Sequence, residues 1–320
     1  MALRTLDSDD ASPDDLAARA AWLYYVGGLR QDQIADELGI SRQRAQRLVA
    51  RAVAEGLVKV RIDHPIADCL ELERGLRQRF GLSRARVAPR ADSGQDALRA
   101  IAPFAAAEME RIFAQETPQL IALGTGRTLR AMIDQMQTIS AGHHRMVSLI
   151  GNVAPDGSAS FYEVIMRIAD KTGAPHYPMS VPVMARDAEE FATYRSLPHV
   201  VSSRALAKEA DVTIVGIGQM ADDAPLLVDG FITAEELSSL RAAGAAGELG
   251  GHVFDAEGRY LDHPVNEFMV GVRVPQNQNP VICVAGGVSK IKALRAALKG
   301  HLIQGLITDE LTAAEILSTS

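Results

Sequence analysis

Five short apolar runs constrain this chain most. "QLIALGTG", "MVSLIGN", "DVTIVGIG", "VICVAGG" and "HLIQGLITDE" are spread over the last two thirds of the 320 residues, and helical patterns follow most of them. Apolar runs of four to six residues, continuous rather than alternating, suit strands buried on both faces. Strands of that kind separated by helices predict a parallel sheet with helices on each side. Four strands are predicted, over Leu120–Leu123, Val147–Ile150, Val212–Val215 and Val281–Val284, and each ends in glycine. Ligands of open parallel sheets bind beyond the carboxyl ends of the strands, where glycine lets backbone N–H groups approach an anion.

Those ends supply the candidate ligand residues. In "GTGRT", Gly124 and Gly126 shape the loop, Thr125 and Thr128 offer hydroxyls, and a helix from about Arg127 turns its N-terminus towards a bound phosphate. The loop is neither a Walker A sequence nor G-x-G-x-x-G. Gly151 and Asn152 follow the second strand, Gly216 and Gly218 the third, and Gly286 and Gly287 the fourth. Lys290 falls in the first turn after Gly287, within reach of a phosphate as a point charge; Lys292 points elsewhere. "GELGGHVFDAEGRYLDH" is expected to form two strands around the turn "DAEG", with Asp255 or His252 as candidates for a ligand's hydroxyls. That placement scatters His252, Asp255, Asp262 and His263 over different faces, so no metal site is expected. His143 and His144 are assigned to a surface loop. Thr233 and Glu236 form a capping box, and Asp309 and Glu310 fill a first helical turn favourable to acids.

The N-terminal region has a different texture. Residues 1–15 are expected to be a disordered tail; from Leu16 to Ile62 a helical period dominates; "DHPIAD" with Pro65 ends it. This sets domain boundaries at 1–15, 16–62 and 63–320, with a connecting helix over roughly Asp68–Phe80. Residues 16–62 hold eight Lys/Arg and four Asp/Glu, net +4, whereas residues 1–15 are net −4. The whole chain is −7, so residues 63–320 carry −7. That balance excludes a general binder of nucleic acid or acidic membranes and confines any basic site to one module.

Within that module, "QDQIADELGISRQRAQRLVARAV" divides into two helices. Ile34, Ala35 and Leu38 share one face of the first. Gly39 suits positive φ after a helix, and Ser41 suits the N-cap of the next. On the second helix Ala45, Leu48, Val49 and Ala52 fall on one side. Gln43, Arg44, Arg47 and Arg51 fall on the other, flanked by Arg42 and Gln46. Two helices joined by a short glycine turn, the second basic outside, describe a helix-turn-helix. Arg and Gln suit bidentate contacts to guanine and adenine edges. Ser41, Arg42, Gln43, Arg44, Gln46, Arg47 and Arg51 are the candidate DNA-binding residues, with double-stranded operator DNA as partner. "EGLVKVRI" is either a rudimentary wing placing Lys59 and Arg61 on phosphates or a strand that only packs the module.

Two cysteines, Cys69 and Cys283, lie far apart with no Cys-x-x-Cys, so neither disulfide nor zinc is expected. The acidic N-terminus has no apolar signal region, and no run nears about 18 apolar residues, so a cytoplasmic protein with no membrane partner is expected.

The chain as a whole resembles the SorC-type family of bacterial sugar-responsive transcription regulators. "RAAWLYYVGGLRQDQIADELGISRQRAQRLVARAVAEGLV", "LGTGRTL", "VGIG", "GHVFDAEGR", "AGGVSKIKALRAALKG" and "LITDE" carry the resemblance in the family's order. It implies a helix-turn-helix (winged-type) domain followed by a Rossmann-like effector domain similar to sugar-phosphate isomerases, and a homodimer or homotetramer. It also implies an effector from carbon metabolism, usually a phosphorylated sugar, and no cofactor. By position, Gly124, Thr125, Gly126 and Thr128 match the family's phosphate loop, and Gly286, Gly287 and Lys290 its second ligand loop. "GNVAPDGSASFYEVIMRIADKTGAPHYPMSVPVMA" fits the family less closely. "AAWLYYVGGL" is similar to members from polyol pathways and points to a sugar alcohol or its phosphate. The competing readings are an isomerase- or hydrolase-like enzyme with an accessory module, for which no catalytic motif is identified, and an oligomeric scaffold.

Overall fold

A computed structural model describes residues 12–58, 67–89, 97–154, 157, 163–275 and 278–318. Lys59 and Arg61 of the possible wing, Pro65 and most of the expected N-terminal tail lie outside the described residues. Chain contacts divide the protein into two units, Met1–Asp63 and His64–Ser320.

The first unit holds α1 (Pro13–Tyr25), α2 (Gln31–Leu38) and α3 (Arg42–Ala54). Helix α1 starts inside the stretch expected to be tail: Ser12 and Asp15 form a capping box and Pro13 occupies the first turn, where its missing N–H costs nothing. Ala17, Ala20 and Ala21 of α1 pack on Ile34, Ala35, Leu38, Ala45, Leu48, Val49 and Ala52. Small residues on α1 let the three helices approach closely.

The second unit runs α4 (Ala67–Phe80), β1 (Arg84–Ala88), α5 (Ala97–Phe113), β2 (Leu120–Leu123), α6 (Arg127–Gln135), β3 (Arg145–Val153), α7 (Val164–Thr172), β4 (His176–Pro182), α8 (Ala188–Ser196), α9 (Pro198–Glu209) and β5 (Val212–Val215). It continues with α10 (Pro225–Val228), α11 (Ala234–Ala242), β6 (Ala245–Leu249), β7 (His252–Asp255), α12 (Pro264–Glu267), β8 (Val281–Val284), one 3-10 turn (Val288–Lys290), α13 (Ile291–Lys299), β9 (Gly305–Asp309) and α14 (Glu310–Ser318).

Seven strands make one parallel sheet in the order β1-β9-β8-β5-β2-β3-β4. All four residues of β2, β5 and β8 are buried, because α5, α6 and α7 cover one face and α4, α9, α13 and α14 the other. Burying each such Val, Ile or Leu is worth about 1.5–3 kcal/mol. The edges are guarded differently. Strand β4 carries Pro178 and Pro182, which cannot donate to a further strand. Strand β1 carries Arg86, whose Nε lies 3.1 Å from the buried Glu108 carboxylate. Strands β6 and β7 form a separate antiparallel ribbon over α10, α11 and α12.

Three local expectations are corrected. The ribbon turns at Gly250-Gly251, both at positive φ; "DAEG" is a further turn, closed by the Asp255 N–H donating to Arg259 O at 2.9 Å. Strand β3 runs on through Gly151 and Asn152 to Val153 rather than ending before them. His144 is buried rather than in a surface loop: its Nδ1 accepts from the Gln119 N–H at 3.0 Å, and burial, helped by His143, holds its pKa below the usual value. Among the described residues no helix is long and apolar enough to cross a membrane.

Candidate functional site

In the first unit, Gly39 sits at φ 63° and caps α2 by donating to Asp36 O, while Ile40 N–H donates to Ala35 O at 2.9 Å. Only glycine takes that turn without strain. Ser41 Oγ accepts the Arg44 N–H at 3.3 Å and starts α3. The cap fixes the phase of α3, so Ala45, Leu48, Val49 and Ala52 face inward while Ser41, Arg42, Gln43, Arg44, Gln46, Arg47 and Arg51 are all exposed. Arg51 is set apart from the rest: it lies 2.8 Å from Asp14 of α1 and 2.8 Å from Glu55. Among the described residues, Arg42, Arg44 and Arg47 make no side-chain ion pair, so their guanidinium groups face solvent as a basic strip.

In the second unit, strand order reverses between β2 and β5: from β2 the chain builds β3 and β4 outward, and from β5 it builds β8 and β9 the other way. Crevices open at such reversals. One does here, a cavity of about 310 Å³ at the carboxyl ends of β2, β5 and β8, at the lower end of the size range of small-ligand sites. Gly124 N–H donates to Ile214 O at 2.8 Å and ties the first two loops together. Gly126, at φ 123°, is the N-cap of α6.

The cavity brings together Gly124, Thr125, Gly126, Arg127, Thr128, Gly216, Gly286 and Lys290. Gly151, Asn152, Gly218, Gly287, Asp255 and His252 do not line it. Each has another position. Gly151 lets β4 approach: a Cβ there would overlap Val181 O. Asn152 follows it along β3, with a buried Oδ1 that finds no partner among the described residues. Gly287 spends its N–H on Asp309 (3.2 Å) and Thr312 (2.7 Å). Asp309 itself is the buried end of β9, accepting the Thr312 N–H at 2.9 Å, rather than a residue of the first helical turn. Asp255 holds its own turn, accepting from the Glu257 and Arg259 N–H groups at 2.9 Å each. His252 is buried.

Sequence reasoning missed most of the lining. Gln219, Asp223, Asp229, Glu248 and Ser289 line the cavity, with Ile101, Ile150, Leu226 and Phe231 as its apolar surface. Glu248 of β6 exchanges backbone hydrogen bonds with Gly218, and its Oε2 accepts the Gly251 N–H at 2.8 Å. Burial raises its pKa, with the Gly251 N–H and Lys290 opposing. Lys290 is shifted down by burial, with Glu248 opposing and Arg127 adding to the shift. Gln219 Nε2 donates to Asp223 Oδ1 at 2.7 Å. The cavity lining thus combines cations and the amides at the start of α6 with carboxylates and a carboxamide. Groups of the first kind suit an anion, and those of the second suit hydroxyl donors.

His263 caps α12 and its Nε2 lies 3.1 Å from Ser239 Oγ. Among the described residues, no group of three or more His, Cys, Asp or Glu is arranged to hold a metal ion. Cys69 and Cys283 are separate, buried thiols.

Residues 64–318 match the Sugar-bind model, a sugar-binding domain, and residues 20–65 match a MarR-family model. The chain is 37% identical over 307 residues to the erythritol catabolism regulatory protein EryD of Brucella abortus (strain 2308), covering 95% of this chain and 96% of that one. It is 33% identical over 311 residues to the transcriptional regulator LsrR of Enterobacter sp. (strain 638), covering 95% and 93%. The crystal structure of the full-length sorbitol operon regulator SorC from Klebsiella pneumoniae superposes with a TM-score of 0.71 at 27% identity, over 95% of this chain and 98% of that one. These relatives are regulators rather than enzymes. The chain belongs to the SorC-type family of sugar-binding transcriptional regulators.

Proposed function

We propose that this regulator of carbohydrate catabolism reads operator DNA with the exposed face of α3 and is controlled by a phosphorylated sugar alcohol held in the β2–β5 crevice. One observation carries the reading: the crevice gathers cationic groups, Arg127, Lys290 and the start of α6, with acid and amide groups, Gln219, Asp223, Asp229 and Glu248, in one lining. A short polyol phosphate has one anionic end and a row of hydroxyls, which matches both kinds of group. The name of the EryD relative, a regulator of erythritol catabolism, supports a polyol over a ring sugar.

Arg42, Gln43, Arg44, Gln46 and Arg47 contact DNA directly, with Ser41 presenting the helix N-terminus to a phosphate. Arg51 acts mainly through the α1–α3 ion pairs. The protein works in the cytoplasm as a homodimer or homotetramer, because two reading heads are needed for half-sites roughly 34–36 Å apart. An effector that prefers one arrangement of the heads by about 1–3 kcal/mol changes operator affinity roughly 5–150-fold.

The test is fluorescence anisotropy on the DNA upstream of the protein's own gene, over a salt series, with erythritol, its phosphate and pooled sugar phosphates added separately. Tight, salt-sensitive binding altered by a polyol phosphate is expected. Binding no tighter than to random DNA removes the DNA-reading assignment, and a response to the free polyol alone removes the phosphate.

A further inference from the structure

Three arginines of the second unit gather around the stretch from Phe268 to Arg273, and none of them lines the crevice. Arg204, half-buried on α9, donates through Nη1 to Val270 O and Gly271 O. Two residues further on, the Arg273 guanidinium lies over the Tyr260 ring at 5.5 Å, with its Nη2 3.4 Å from Asn266 O. Arg195, in the last turn of α8, lies over Phe191 at 5.3 Å, and Phe191 meets Phe268 edge-on at 6.4 Å. Carbonyls and ring faces thus hold all three cations. Among the described residues, neither Arg195 nor Arg204 forms an ion pair, and Arg204 uses only its Nη1. The charge that acts on Arg204 is of its own sign: burial, and then Arg195, bring its pKa down to about 10. His252 is 2% exposed, and its Nδ1 has no partner among the described residues. It lies within the field of the same cations, because Arg273, Arg204 and Arg195 add to burial in lowering its pKa.

We propose that Arg195, Arg204 and Arg273 form a second anion site, separate from the crevice, that takes a phosphate group, either inorganic phosphate or the phosphate of a small metabolite. A half-buried cation with no counter-charge is costly, and a bound anion offsets that cost. The Nε and Nη2 donors of Arg204 are parallel and open, the fork that accepts two oxygens of one phosphate. Arg195 and Arg273 then balance a dianion, whereas a lone carboxylate brings one charge to three. A polyanion fits less well. Residues 63–320 carry −7, so the body around the cluster repels DNA and acidic membranes while a small anion reaches it.

The test is calorimetric titration of the full-length protein at constant ionic strength, with inorganic phosphate and with glycerol phosphate in separate arms. The variants are K290A, which removes the crevice lysine, and K290A/R195Q/R273Q. Arg195 and Arg273 are exposed, and thermal melts check that the triple variant folds. K290A/R195Q, which breaks no hydrogen bond, serves if it does not. K290A is expected to keep a phosphate that the triple variant binds at least about tenfold more weakly. Lysines at 195 and 273 should restore it only in part, since an ammonium has no fork. The arm that binds more tightly identifies the source of the phosphate. Equal affinity in K290A and the triple variant overturns the proposal. So does the absence of phosphate binding by K290A at millimolar concentration; a sedimentation change in R195Q/R273Q then assigns the cluster to carboxylates of a second copy. The comparison holds K290A constant and uses no DNA, so the cluster and the crevice reading fail separately.

Discussion

Glu248 and Gly218 exchange backbone N–H···O bonds at 3.0 Å in both directions, and the Glu248 carboxylate lies where a Cβ on Gly218 would be. The missing side chain is therefore what seats an acid in the cavity wall. Gly218→Ala should push Glu248 out of place, lower stability by about 1–3 kcal/mol through overpacking, and weaken the effector response with operator affinity retained. Thermal melts and an effector titration check this; an unchanged response shows that Glu248 takes no part in recognition.

Arg44 and Arg47 face solvent from α3, whereas Arg51 is engaged by Asp14 and Glu55. Arg47→Ala should cost about 1–3 kcal/mol of operator binding if it reads a base, or flatten the salt slope by about one if it binds a phosphate. Arg51→Ala should cost DNA affinity less and stability at most about 1 kcal/mol, since both its partners are exposed. Anisotropy over a salt series separates these outcomes, and unchanged affinity in both Arg44→Ala and Arg47→Ala moves the docking face elsewhere.

Thr128→Val and Lys290→Ala should leave DNA affinity intact and abolish the effect of a phosphorylated ligand. Burial depresses the Lys290 pKa, so the ammonium is lost at lower pH than an ordinary lysine's. An anion favours the charged form, so its affinity should decline as pH rises through that depressed value, and Lys290→Ala should abolish the decline. Calorimetric titrations at several pH values read this directly.

His252 is buried and its pKa is pushed down to about 3, chiefly by burial and then by Arg273. The unfolded chain takes up this proton near the ordinary value of 6.5, so the folded state loses stability as pH falls below it. The loss for this one group approaches about 1.4 kcal/mol per pH unit and stops only near the folded value. His252→Gln should show a shallower fall in urea midpoint between neutral pH and pH 5; an equal slope assigns acid sensitivity to other groups.

Local signals in the sequence determined the elements whose reason is local. Gly39 and Ser41 set the turn and the cap, and with them the phase of α3 and the identity of its outward residues. The runs of β2, β5 and β8 are apolar throughout because helices cover both faces. Reading residues 12–15 as tail overlooked a complete start signal, serine, proline and two acids. What a strand end becomes was decided in three dimensions. Gly151 resembles Gly124 and Gly216 in sequence, yet β3 continues past it because β4 needs the space a side chain would fill. Gly287 turns its N–H to Asp309 and Thr312, partners brought in by β9 and α14. Glu248, Gln219, Asp223 and Asp229 carry no motif. They become a wall only because the β6–β7 ribbon folds over the point where strand order reverses, and that packing depends on contacts between residues far apart in the chain.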